Sequence, residues 1–192
     1  EATAWSSRPW MATVENTIPS APPQVDPRQP DDNSLQLERV HGYRAQDVRG
    51  NLRYTATGEL VYTAAAVGVV FSPDTNEQRS NLDHTDDVIA MAVHPMGGLV
   101  ATGEVGLDPK IHVWDTTSMK LLSTLKGFHR RAVTVLSFSP DGKQLVSVGM
   151  DEHHSVAVYD WQRKELVFAQ KSTRSKVLDC HFSSDTSFVS CG

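Results

Sequence analysis

From residue 37 onward, short apolar runs alternate with turn residues, and β-branched side chains are common. Apolar residues at helical spacing are scarce. The pattern predicts an all-β chain. Strands are expected at about 88–93, 99–103, 111–115 and 119–125, and again at 133–138, 144–149, 155–160 and 165–170. Met96-Gly97-Gly98 and Pro140-Asp141-Gly142 punctuate equivalent places and read as turns. Upstream, strands are expected near 52–55, 60–65, 67–71 and 78–82, where the pattern is less regular.

These runs repeat. DVIAMAVHPMGGLVATG (87–103), AVTVLSFSPDGKQLVSVG (132–149) and KVLDCHFSSDTSFVSCG (176–192) align. Val88, Val133 and Val177 are spaced by 45 and 44 residues, and Trp114-Asp115 lies 45 before Tyr159-Asp160. Pro95 matches Pro140, and Gly97 matches Gly142. Each unit holds four short strands. One four-stranded sheet cannot bury both faces, but sheets stacked radially can, and a period of about 40 to 45 is that of a propeller blade. About three blades are present. The units are 37–82 (a divergent first blade), 83–127, 128–171 and 172–192, the last being the start of a further blade.

Residues 1–36 differ. Six of the ten prolines fall there, among few branched apolar residues. Such a stretch cannot build a core and reads as an extended arm. Trp5, Trp10 and Met11 stand out in it as anchors for a partner surface.

The repeat resembles the WD-repeat family. That resemblance implies a hydrogen-bond chain from a Trp on the third strand to a Ser or Thr on the second. The chain continues to a His before the first strand and an Asp in the turn between the second and third. The matching set is Trp114, Thr102, His84 and Asp108. The next unit offers Ser147, His129 and Asp151, with Tyr159 where Trp is expected. Both histidines read as structural.

The segment LERVHGYRAQDVRGNLRY (37–54) is more specific. Leu-Glu-x-Val-x-Gly-Tyr-Arg followed by Asp-x-Arg-x-Asn-Leu resembles the hydrophobic (HELP) motif of the echinoderm microtubule-associated protein-like family. TGELVY, HTDDV, ATGEV, HVWD and VYDWQRKE follow at matching distances. The resemblance covers residues 37–192. It implies a non-catalytic protein of the cytoplasmic cytoskeleton that binds tubulin and microtubules. Those of a cilium or flagellum are included, with other axonemal proteins as further partners. The competing expectation is a propeller adaptor that presents peptides in signalling or ubiquitin-ligase complexes.

Charge shapes the expected contacts. The net charge is −5, which argues against nucleic acid as the main partner. No apolar run approaches the roughly 18 residues that cross a bilayer. Yet KGFHRR (126–131) and KSTRSK (171–176) each carry +3, DHTDD (83–87) carries −3, and residues 37–54 carry +2. Arg44, Arg49, Arg130, Arg131, Arg174 and Lys176 are therefore the expected contacts to an acidic partner. No cofactor or catalytic set is expected. His153-His154 and Cys180-His181 are adjacent pairs that point to opposite faces of a strand. Glu1 is not a methionine and the last apolar run is unfinished, so the sequence is expected to be part of a longer chain.

Overall fold

The computed structural model describes residues 35–44 and 46–192. The arm residues Trp5, Trp10 and Met11 lie outside the described residues. The architecture below is that of Glu38–Gly192.

The described residues are strands and turns, fourteen strands in all. The first sheet is antiparallel, in the order β1 (Leu52–Tyr54), β2 (Leu60–Ala64), β3 (Val67–Ser72), β4 (Glu77–Asn81). The second is β5 (Val88–Val93), β6 (Leu99–Gly106), β7 (Ile111–Asp115) and β8 (Leu121–Leu125). The third is β9 (Arg131–Phe138), β10 (Gln144–Gly149), β11 (Val156–Asp160) and β12 (Glu165–Gln170). A hairpin of β13 (Asp179–Ser184) and β14 (Ser187–Cys191) follows. This is the arrangement of a partial propeller. One detail departs from separate blades: the end of β6 pairs with the start of β9 (Val105 with Ala132, Gly106 with Arg131), so the second and third sheets are continuous.

The core lies between the sheets, and strand alternation explains it. Along β11, Ala157 and Tyr159 belong to the cluster shared with the second sheet. Val156 and Val158 belong to the cluster shared with β13. Along β6 and β7, Val100 and Trp114 pack toward Val61 and Val70 of the first sheet, whereas Ala101, Ile111 and Val113 pack the other way. Successive side chains point to opposite faces, so a strand apolar at every position glues two neighbours at once. Fit is tight. A Cβ at Gly68 of β3 would lie 2.9 Å from the Trp114 ring, so the missing side chain makes the slot for the indole.

The turns between the first two strands of each unit also stack on one another. Ala56 N donates to Gly97 O at 3.3 Å. His94 Nε2 lies 3.1 Å from Gly142 O, and Asp141 N donates to Asp185 Oδ1 at 2.8 Å. Gly142 has φ 74°, and a Cβ there would sit 2.2 Å from His94 Nε2. Glycine is required twice over, by backbone conformation and by the neighbouring ring. Gly142→Ala is expected to cost about 2 kcal/mol or more. The thermal midpoint should fall by several degrees, while Gly58→Ala, whose Cβ meets open space at φ 81°, should cost less. Equal losses would show that the ring contact adds nothing.

Candidate interaction site

The expected hydrogen-bond chain exists in the second sheet with one member changed. Trp114 is fully buried and its Nε1–H donates to Thr102 Oγ1 at 3.0 Å. Thr102 Oγ1 is 2.7 Å from His84 Nε2, and His84 Nδ1 is 2.9 Å from Glu104 Oε2. The acid is Glu104, and Asp108 is not part of the network. The reason is the length of β6, which runs on to Gly106. Residues 102 and 104 are two apart on one strand and share a face, so both reach the same imidazole. Asp108 lies past the strand and is exposed. Glu104 also accepts from Thr85 N at 3.1 Å and Lys110 N at 3.2 Å.

Protonation follows from these partners. Burial holds His84 below the usual imidazole range, although Glu104 works against this. Burial would raise the Glu104 carboxyl, but its bonds from His84, Thr85 and Lys110 leave it below its ordinary value. The contact is therefore a neutral imidazole donating Nδ1–H to a carboxylate, not an ion pair. Every donor in the chain finds an acceptor.

The third sheet carries the same set with two losses. His129 Nε2 lies 2.6 Å from Ser147 Oγ. The position equivalent to Glu104 is Gly149, where a Cβ would sit 2.4 Å from His129 Nδ1. Asp151 does not fill the gap, because its carboxylate accepts from His153 N, Ser155 N and Ser155 Oγ. His129 Nδ1 is buried without a hydrogen-bond partner among the described residues. Tyr159 is buried but makes no bond to Ser147, and burial pushes its hydroxyl up to about 12. A different indole contributes here. Trp161, two residues on, donates Nε1–H to Gly142 O at 2.7 Å and packs beside Phe138 and His94.

Upstream, the segment before β1 forms a strap along the first sheet. Val40 N donates to Gln78 Oε1 at 2.8 Å, and Gln78 Nε2 donates to Val40 O at 3.0 Å. The side-chain amide thus mimics a strand partner. Arg39 donates to Asn76 Oδ1 at 2.7 Å. Tyr43 packs edge-on against Tyr62 and donates to Asn51 Oδ1 at 2.8 Å. Arg44 closes the strap by pairing with Asp47 at 2.7 Å and with Asp87. The Asp47 bonds outweigh desolvation and hold the guanidinium above its ordinary range. Arg44 is thereby removed from the set of free contacts. It is a clamp.

The other flagged cations remain available. Arg49, Arg130, Arg131, Arg174 and Lys176 are exposed and make no ion pair among the described residues. Arg130 and Arg131 lead into β9, and Arg174 and Lys176 occupy the equivalent place before β13. Arg49 and Lys176 line a common recess at the inner strands, and Arg53 joins Arg49 in the next. Sequence reasoning missed Arg53 and Glu104. The i, i+2 spacing from Thr102 was the signal for Glu104. Among the described residues, no group of three or more His, Cys, Asp or Glu is placed to hold a metal ion.

Two outcomes are expected. Thr102→Val leaves both the Trp114 N–H and His84 Nε2 unpaired, at roughly 1–3 kcal/mol each, whereas Ser147→Ala strands only His129. Thermal melts should rank Thr102→Val as the more damaging, and the reverse order would contradict the network. Burial also lowers His129 to about 4 and His112, stacked 4.2 Å from His84, to about 4. In the unfolded chain these rings take up protons near pH 6.5. Between pH 6.5 and 4 the unfolded state therefore binds more protons, so stability falls as pH falls through that window. Urea midpoints at pH 7.5, 5.5 and 4.5 should decline in that order, and His129→Asn should flatten the decline.

Comparison with known proteins agrees with this geometry. Residues 77–192 match the family model described as the echinoderm microtubule-associated protein first beta-propeller, and residues 30–69 match the HELP motif. The chain is 38% identical over 157 residues to the 77 kDa echinoderm microtubule-associated protein of Strongylocentrotus purpuratus, covering 77% of this chain and 23% of that one. It is 37% identical over 171 residues to echinoderm microtubule-associated protein-like 1 of Rattus norvegicus, covering 82% of this chain and 21% of that one. Against echinoderm microtubule-associated protein-like 2 of Homo sapiens, identity is 36% over 171 residues, with 82% and 26% covered. The chain thus spans about a quarter of the length of the relatives it matches. With the HELP strap and the stacked blades in one continuous stretch, the chain belongs to the echinoderm microtubule-associated protein family.

Proposed function

We propose that the chain is part of a non-catalytic, microtubule-associated propeller protein of the cytoskeleton that contacts tubulin directly. The observation that supports this most is the joint match of strap and first propeller to relatives named as microtubule-associated proteins. A microtubule wall is an acidic surface. The chain as a whole is repelled by it at −5, so attraction falls to local groups. Arg130 in the loop before β9, Arg131 at the start of that strand and Arg174 in the loop before β13 are exposed cations suited to that role. Each exposed contact contributes about 1 kcal/mol or less. The arm, with Trp5, Trp10 and Met11, supplies apolar anchors whose burial is not screened by salt. The same reading places the protein on axonemal microtubules, beside other axonemal proteins, in cells that build a cilium or flagellum.

Microtubule co-sedimentation at about 50 and 200 mM salt tests the reading, because screening tightens over that range. Binding should survive at low salt and weaken at high salt. Deleting residues 1–36 should weaken it more than neutralising Arg130, Arg131 and Arg174 together. No pelleting at low salt would end the tubulin reading. The opposite order of the two variants would remove the arm from it.

A further inference from the structure

A recess at the inner strands carries charges that the strap and the loops do not use. It encloses about 320 Å3 between β5, β9 and β13, beneath Arg49 and Arg53. An adjoining recess of about 70 Å3 is shared by Arg49 and Lys176. The nearby acids are engaged: Asp47 by Arg44 at 2.7 Å, and Asp179 by His181 at 3.1 Å. The three cations have no such partner among the described residues. Arg53 lies over Gly50, where a Cβ would come within 2.8 Å of its Nη2, and its Nη1 donates to Leu52 O at 3.2 Å.

The floor of the recess is strand edge. Ala90 and Met91 line it, as do Thr134, Val135 and Leu136. Consecutive strand residues point to opposite faces, so a hollow that meets them all opens on the edge between the faces. Among the described residues, β5 pairs only with β6, β13 only with β14, and residues 133–138 of β9 only with β10. On their outer edges, Val88 is taken up by Ala65 O and Thr63 Oγ1, and Cys180 N–H by Asp179 Oδ1, but the rest of these edges meets no strand among the described residues and can accept an added one.

We propose that this recess docks an extended acidic peptide segment of a partner protein. Its backbone would add to an exposed inner edge, and its carboxylates would meet Arg49, Arg53 and Lys176. Edge pairing selects a polypeptide over a nucleic acid, which has no ladder of amide groups to offer. The three cations select acidic side chains, and alternate residues of the added strand would present them on one side. The inference is independent of the tubulin reading.

Fluorescence anisotropy of the purified protein with a labelled peptide of about ten residues, Glu alternating with Val, tests it. Saturable binding is expected, and Arg49→Glu, Arg53→Glu and Lys176→Glu should each weaken it by about threefold to tenfold. Arg130→Glu with Arg131→Glu should leave it unchanged within about twofold. Melting midpoints identify misfolded variants, for which Arg→Gln and Lys→Gln serve instead. Equal weakening by the Arg130 and Arg131 changes would overturn the assignment. So would undiminished binding of a Lys-for-Glu peptide, or tighter binding of an oligouridine sensitive to the same substitutions.

Discussion

A buried indole N–H must be paired, and that requirement organises the centre of this molecule. Trp114 has no exposed surface and, among the described residues, reaches one acceptor, the Thr102 hydroxyl. That hydroxyl donates onward to His84, and His84 donates to Glu104. The chain ties the loop before β5 to β6 and β7, so the order of three strands is fixed by one set of polar contacts. The indole also fills the slot left by Gly68. One side chain thus sets both the internal register of a blade and its distance from the blade before it.

The third sheet shows what happens when that arrangement is relaxed. Gly149 removes the carboxylate, Tyr159 removes the indole, and His129 keeps one partner of two. Compensation comes from apolar contact. Tyr159 and Trp161 both join the cluster between the second and third sheets, and Trp161 finds a backbone carbonyl in the turn of its own blade. Continuity of β6 with β9 adds backbone bonds at the same junction. Stacking strands with two apolar faces supplies cohesion that does not depend on any single polar network.

Much of the fold was legible because its signal is repeated. The spacing of Val88, Val133 and Val177 located equivalent strands, and eleven of the fourteen strands lie where alternation put a strand of similar length. Sites were less legible, because they depend on where strands stop. Asp108 looked like the fourth partner only while β6 was taken to end at residue 103. Its continuation to Gly106 brought Glu104 onto the imidazole instead. Arg44 looked like a free cation although Asp47 stands three residues on, because the second carboxylate that closes the clamp, Asp87, is 43 residues away. Arg49 and Lys176 were recognised as basic, but their meeting at one recess depends on how three blades stack.

The strap has a mechanical consequence. It leaves the outer strand β4 at Val40 and Gln78 and enters the inner strand β1 at Leu52, with the Arg44 clamp between. Tension applied upstream of Glu38 therefore meets the Arg39–Asn76 bond and the amide pair at Gln78 first and the clamp second. Only after both have parted does load reach the ladder of β1 and β2, which is three residues long. The two outer fastenings act as a fuse in series, so that a modest pull unthreads the strap while the stacked blades and their buried tryptophan stay in register.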